Sequence, residues 1–367
     1  MSRIKNITYC MLYYPTDSQL LKQIRSGRSR GYLKYVDWNN KRILALDMSS
    51  LHALSLNRIV QTKQRFQQLS LLFCFCVSVI SLPVQASLTL ATWNMEWLTD
   101  KGDRVQGKRE AGDYLMMQTV ASVIDADLIA FQEVDGPESL SKVLDPQKYD
   151  FYFSDRAKRY KRSRGSHQFT GWAVKKGVEV IDHKDYQPLG LPTFLSAGNL
   201  RYGAYIEVIR DNEPSLHLLS IHLKSGCFEK AVRRNNSCKK LERQIEALAI
   251  WINAKQKLGQ EFIIAGDFNH YLNERNEWAW KSLLDQTEPN SVINLSASTP
   301  AKCKARKFNY RTKRWEHVVY NKLIDHIVAS PGAIDHENVP KASQYKYSYH
   351  AVATYRLSDH CPIIVDL

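Results

Sequence analysis

The chain has 367 residues, 44% of them apolar, with 8 Trp, 19 Tyr and 12 Phe. That is ample material for a buried core, and it excludes a fibrous or wholly disordered chain. The formal net charge of +14 is unevenly spread: residues 1–86 carry 12 Lys+Arg against 3 Asp+Glu, a net of +9, which leaves +5 for everything after Ala86. Bulk charge therefore does not by itself mark a nucleic-acid binder.

In chain order, residues 1–62 read as a polar N-terminal extension, with Met48 a candidate for a start nearer the next segment. Residues 63–86 (KQRFQQLSLLFCFCVSVISLPVQA) have the three-part grammar of a secretory signal peptide. Lys63 and Arg65 form a basic flank, Leu69 to Leu82 is uncharged and apolar, and Pro83 precedes a Val84-Gln85-Ala86 cleavage site. The apolar run falls short of the ~20 residues of a spanning helix, which favours cleavage over anchoring. The expected mature chain, 87–367, has no internal repeat or long linker and reads as one domain in the periplasm or secreted.

Cysteine usage fits that compartment. Cys10, Cys74 and Cys76 precede the cut, leaving Cys227, Cys238, Cys303 and Cys361, an even number. A Cys227–Cys238 bridge is expected to close the short basic loop between them, with Cys303–Cys361 as the second pair.

Short apolar runs alternate with helical patterns, the rhythm of an α/β or α+β domain. Strands are expected at Leu88–Trp93, Leu128–Gln132, Phe151–Phe153, Gly171–Val174, Tyr202–Ile209, Leu216–His222, Phe262–Gly266, Leu323–Ala329 and Ile363–Asp366. Helices are expected at Glu110–Ile124, Lys239–Ala254 and Glu274–Leu284, the middle one marked by Leu241, Ile245, Leu248 and Ile252 at helical spacing. Two cation-rich stretches read as loops: Arg156 to Arg164, and Lys302 to Trp315, where Phe308 and Tyr310 are interleaved with Lys and Arg. Such stretches can grip phosphates and stack bases, although a solvated loop is the plainer reading of either alone. No uninterrupted exposed apolar tract is expected after Ser87, Trp278 and Trp280 being the candidate surface aromatics.

Polar residues recur where strands should end. Asn94 follows LTLATW, Glu133 follows DLIAFQ, and His222 closes LHLLSI. Asp267 and Asn269 follow FIIAG, Asp325 and His326 interrupt KLIDHIV, and Asp359-His360 precede CPIIVDL. Each alone is a commonplace cap or turn residue. Together they would converge on one sheet edge, where α/β proteins commonly bind substrates.

The segments ATWNMEWL, LIAFQEVDG, LLSIHLKSG, IIAGDFNHYL, LIDHIVAS and LSDHCPIIVDL, in this order, resemble the endonuclease/exonuclease/phosphatase superfamily. That superfamily includes deoxyribonuclease I, exonuclease III and neutral sphingomyelinases. The resemblance spans 88–367 and implies a four-layer sandwich, two mixed β-sheets packed face to face with helices outside. It implies a metal site of Glu133 with Asn94 and Asp359, and a catalytic set of His222, Asp267, Asn269, Asp325 and His360. Arg201 falls near a position where many members contact the phosphate with arginine. Oxygen ligands suit a hard cation, Mg²⁺ or Mn²⁺. The segment HQFTGWAVKK departs from the family by lacking a phosphate-binding tyrosine.

The implied activity is metal-dependent hydrolysis of a phosphodiester, nucleic acid being the favoured substrate and the chain a monomer. A phospholipid headgroup or inositol phosphate is the second reading. A non-catalytic binding protein on the same fold is the third.

Overall fold

A computed structural model describes residues 32–37, 42–47 and 88–367, apart from 161–164, 197, 229–234, 276 and 336. The chain divides into two compact units, Met1–Val84 and Gln85–Leu367. In the first, β1 (Tyr32–Asp37) and β2 (Arg42–Asp47) form an antiparallel hairpin with Tyr32 opposite Asp47. The signal peptide read at 63–86 and the rest of 1–62 lie outside the described residues. Among the described residues no helix is long and apolar enough to cross a membrane.

The second unit holds two six-stranded sheets, with strands numbered in chain order. One sheet runs β15 (Ser343–Gln344), β16 (Ile363–Asp366), β3 (Thr89–Leu98), β4 (Leu128–Val134), β6 (Phe169–Lys175), β5 (Tyr149–Phe153). The other runs β11 (Ile293–Asn294), β14 (Asp325–Ala329), β10 (Glu261–Asp267), β9 (Leu216–His222), β8 (Ala204–Val208), β7 (Val180–Asp182). Both are mixed: β3 and β4 are parallel, as are β9 and β10, and the other pairings are antiparallel.

Strand alternation builds the layers. Leu90, Leu128 and Trp172 of the first sheet pack between the sheets with Ile206, Leu218, Ile263 and Ile327 of the second. Trp172 is fully buried there, and its Nε1 donates to the Ala204 carbonyl of the facing sheet at 3.0 Å. The outward residues Ala91, Trp93, Ile129 and Phe131 pack on Met117 and Val120 of α1 (Ala111–Ile124). On the other side Leu219, Ile221, Phe262 and Ile264 meet Leu241, Ile245, Leu248 and Ile252 of a long helix, Asn236–Lys257. The result is the helix–sheet–sheet–helix sandwich expected.

Helix starts follow local chemistry. Glu110 and Asp113 make a reciprocal capping box at α1, and Asn235 caps the long helix by accepting from Ser237 N at 2.8 Å. The helix expected from Glu274 begins four residues later, at Trp278 (Trp278–Asp285), because the Glu277 carboxylate caps it through Ala279 N and Trp280 N, each 2.9 Å away. Trp278 and Trp280 are half-buried against the long helix's cluster and are not surface aromatics. The exposed apolar pair is instead Phe194–Leu195, at the tip of a turn closed by Thr193 and Ser196.

The two cation-rich stretches are not plain loops. Arg156 to Tyr160 belong to a short helix, Asp155–Tyr160. Arg156 is spent on structure, donating to the Leu200 and Gly198 carbonyls at 2.6 and 3.3 Å. The second stretch is an antiparallel hairpin, β12 (Cys303–Asn309) with β13 (Arg314–Tyr320). Disulfides join Cys227 to Cys238 and Cys303 to Cys361.

Candidate active site

The parallel strands β3, β4, β9 and β10 deliver Asn94, Glu133, His222 and Asp267 at or near their C-terminal ends. Antiparallel β14 starts at Asp325, opposite Asp267, and β16 is preceded by Asp359 and His360. All the polar strand ends thus meet at one edge of the sandwich. Gly266 makes this possible between β9 and β10, because at φ +152° a Cβ would stand 2.1 Å from the Ile221 carbonyl oxygen.

At the centre, the Asn94 amide donates to Asp267 Oδ2 at 3.0 Å and lies 3.4 Å from Glu133 Oε1, while its carbonyl accepts from Glu96 N at 3.0 Å. The Asn269 side chain donates to the same Asp267 oxygen at 3.0 Å, and its backbone N–H donates to Oδ1 at 2.7 Å. Burial, reinforced by Asp325, pushes Asp267 up to about 7 despite the opposing pull of His360. Glu133 Oε2 accepts from Trp97 N at 3.1 Å.

His360 Nδ1 lies 2.7 Å from Asp325 Oδ2, which turns Nε2 toward Asp359 Oδ1, 3.8 Å away. Burial alone would lower this imidazole, but Asp325, Asp267 and Asp359 together hold it well above the usual histidine range. Its backbone is pinned on both sides. His360 N donates to Ser358 Oγ at 3.0 Å, Ser358 Oγ donates to the Asn94 carbonyl, and the Tyr347 hydroxyl donates to the His360 carbonyl at 2.7 Å.

His222 is held the opposite way. Burial and the Arg201 guanidinium keep it well below the usual range, so its ring is neutral. Arg201 Nε lies 3.1 Å from Nδ1 and Nη2 lies 2.7 Å from Nε2. A neutral imidazole accepts at one nitrogen only. Nε2 also lies 3.4 Å from Asp267 Oδ2 and 3.6 Å from Glu133 Oε1.

The matching family model settles what this arrangement belongs to, for it covers residues 91–360. The chain belongs to the Endonuclease/Exonuclease/phosphatase family. A solved structure agrees in fold, and two others are similar at lower scores. A family protein from Bacteroides vulgatus is 16% identical, over 77% of this chain and 98% of that one, with a TM-score of 0.50. TDP2 from Caenorhabditis elegans is 15% identical over 77% and 76%, TM-score 0.48. A mannosyl-6-phosphatase of Bacteroides thetaiotaomicron is 15% identical over 76% and 99%, TM-score 0.49. No curated protein sequence matches the chain. Endonuclease/Exonuclease/phosphatase proteins are phosphoesterase hydrolases, and that coarse class comes with membership.

Every site residue expected from the family pattern stands in this cluster. Asp359 sits at its exposed rim and reaches the rest through His360 and through its N–H, which donates to Glu96 Oε2 at 3.1 Å. Glu96 was not read from the sequence. It is buried, and burial plus the Asp359 charge raise it well above the carboxylate range. Its only sequence signal is its place two residues after Asn94 in WNMEW. The structure adds that Glu96 and Trp97 have φ of +43° and +49°, where β3 breaks register with β4, and that Glu133 and Asn269 are left-handed too. Such conformations cost about 1–3 kcal/mol each and gather at functional sites. Arg109 holds the 95–97 turn: its guanidinium donates to the carbonyls of Met95 (3.1 Å), Glu96 (2.9 Å), Trp97 (3.4 Å), Arg356 (3.1 Å) and Leu357 (3.4 Å).

The donor set fits a hard divalent cation. Glu96, Glu133, Asp267 and Asp325 crowd together with Asp359 at the rim, two of them resist ionisation, and Asp325 Oδ1 is buried without a hydrogen-bond partner. Asp267, Asp325 and His360 each offer one ligand atom within 4.8 Å of the others. Oxygen-rich sets of this kind take Mg²⁺ or Mn²⁺ in preference to zinc.

Proposed function

We infer that this domain is an exported, divalent-metal-dependent phosphodiesterase acting on nucleic acid. One observation carries the reading: an acid–base pair, Asp325–His360, is set at 2.7 Å within a cluster of carboxylates of which burial raises Asp267 and Glu96. Glu133, Glu96 and Asp359, with Asn94 beside them, would hold Mg²⁺ or Mn²⁺. When bound, the cation offsets the charge of the phosphodiester and stabilises the oxyanion that develops on it.

The chain's own residues do the rest. His360, protonated at neutral pH, presents Nε2–H to a phosphoryl oxygen, and Asp325 keeps it charged and oriented. Asp267, poised near 7, orients the attacking water and takes its proton, while Asn94 and Asn269 fix its rotamer. Neutral His222, held by Arg201, lines the opposite side of the phosphate. A set of this kind supplies roughly 10²–10⁴-fold in rate per general acid or base.

Nucleic acid is favoured by the β12–β13 hairpin. It sets Phe308 edge-on between Tyr310 and Trp315, and the guanidinium carbons of Arg306 and of Arg356 lie 5.7 and 5.8 Å from the Trp315 ring. Its root joins the site directly, since Cys303 is bonded to Cys361, the neighbour of His360. A second reading, a phospholipid headgroup, is favoured by the exposed Phe194–Leu195 turn, which leads into Arg201. A non-catalytic role sits poorly with a complete acid, base and ligand set. The leader grammar and two disulfides support export.

The deciding experiment is a substrate panel of DNA, RNA, sphingomyelin vesicles and inositol phosphates, run with Mg²⁺, Mn²⁺ and EDTA. Cleavage of DNA or RNA that EDTA stops and His360→Ala abolishes is expected. Hydrolysis of vesicles without nucleic-acid cleavage would move the assignment to the lipid reading, and no hydrolysis of any substrate would refute both.

A further inference from the structure

A second cluster of ligand-type side chains lies on the outer face of the other sheet, away from the carboxylates. Glu207 on β8 stands opposite His217 on β9 in the strand register, and His183 follows β7 at the edge. His183 Nε2 is 2.7 Å from Glu207 Oε2, and His217 Nδ1 is 3.9 Å from the same oxygen. One ligand atom of each lies within 4.8 Å of the other two. His217 precedes His222 by five positions on one strand, so the two clusters are separated by about 16 Å.

We propose that His183, Glu207 and His217 form a zinc site distinct from the catalytic centre. Two imidazoles and one carboxylate are a recurrent zinc set, with ligand distances near 2.0–2.2 Å. Tetrahedral geometry at those distances asks for ligand atoms about 3.4 Å apart. The separations of 2.7 and 3.9 Å bracket that value, so small side-chain rotations complete the site. An all-oxygen ion such as Mg²⁺ would not select two nitrogen donors.

The surroundings are built like an outer shell. Ser215 Oγ donates to Glu207 Oε1 and fixes the carboxylate with Oε2 facing both rings. Tyr205 stacks on His183, ring centroids 4.4 Å apart, and its hydroxyl is hydrogen-bonded to His217 Nδ1 at 2.7 Å, so zinc would take the place of that bond. His183 is the more open of the two, its side chain 32% exposed against 3% for His217, and provides the way in. Lys255 Nζ donates to the Tyr205 hydroxyl and sets a positive charge beside the cluster.

The test titrates Zn²⁺ into chelator-stripped protein against a chromophoric competitor, with excess Mg²⁺ present for the carboxylate cluster. One zinc per chain is expected. His183→Ala and Glu207→Gln should each weaken it roughly 100-fold or more, given that lost outer-shell partners alone cost 10–100-fold. Lys255→Met should tighten it, and Asp267→Asn should leave it unchanged. His183 is at the rim, so its removal spares the core, and matching melting curves in chelator check this. Absence of zinc binding, retention in both ligand variants, or loss in Asp267→Asn would overturn the site.

Discussion

Removal of the divalent cation should make the domain's stability depend on pH in a defined direction. Asp267 is a buried carboxyl whose folded pKa is raised from 3.8 to about 7. Its folded state therefore keeps a proton through a window in which the unfolded chain has lost it. Stability from this group is complete below pH 3.8 and declines as pH rises toward 7. About three units at 1.36 kcal/mol each give roughly 4 kcal/mol at most. Glu96, also raised, acts in the same sense. A bound cation takes the place of the proton, so Mg²⁺ should stabilise little near pH 5 and by several kcal/mol near pH 8. At roughly 2–4 °C per kcal/mol, the difference in Tm between Mg²⁺ and EDTA should widen by about 10 °C across that range. Asp185, also raised to about 7, and His326, lowered to about 4, titrate in both arms and cancel in the difference. Melting curves by circular dichroism at a series of pH values provide the readout. A Tm difference that is constant with pH, or that shrinks as pH rises, would refute the reasoning.

Further outcomes are specific to single residues. His360→Ala should lower kcat on the substrate found in the panel by roughly 10²–10⁴-fold. Asp325→Asn removes the largest charge holding His360 protonated, so it should shift the alkaline limb of the pH–rate profile to lower pH; an unmoved limb would exclude His360 as the acid. Arg109→Lys keeps the charge but not the five-carbonyl fork, and should weaken metal activation, read as a higher Mg²⁺ requirement with the fold intact; an unchanged requirement would show the 95–97 turn to be self-supporting. Trp315→Ala should weaken nucleic-acid binding by about 1–3 kcal/mol in a fluorescence titration, and no change would remove the hairpin from the substrate path. Trp172→Ala should cost about 3–5 kcal/mol in denaturant unfolding, and a loss under 1 kcal/mol would contradict its place at the centre of the inter-sheet core.

The sequence was most legible where burial is two-sided. LHLLSIH is rich in leucine and isoleucine and buried along its whole length, IIVD is apolar up to its last residue, and the strands Leu216–His222 and Ile363–Asp366 have the expected limits. The hairpin was not legible, because CKARKFN and RWEHVVY lie mostly at the surface and interleave cations with apolar residues. Only cross-strand pairing organises such segments. Strand β3 runs on past Trp93 because its last turn is carried by positive-φ residues that no periodicity reveals, and Glu96 was hidden with it. The ligand-type residues were visible as a set because they stand at strand ends, where apolar patterning stops abruptly. The His183–Glu207–His217 group had no such signal: Glu207 and His217 sit singly among apolar residues of separate strands, and His183 lies among charged residues just past a third.

The Cys303–Cys361 bond ties two working parts into one mechanical unit. One cysteine starts the aromatic hairpin, and the other follows His360 in the chain. On the proposed reading, reduction would free the hairpin proposed to hold nucleic acid and slacken the segment carrying His360 in one event. A thiol-treated protein should therefore lose affinity and turnover together, as should a protein in which Cys303 and Cys361 alone are replaced by serines.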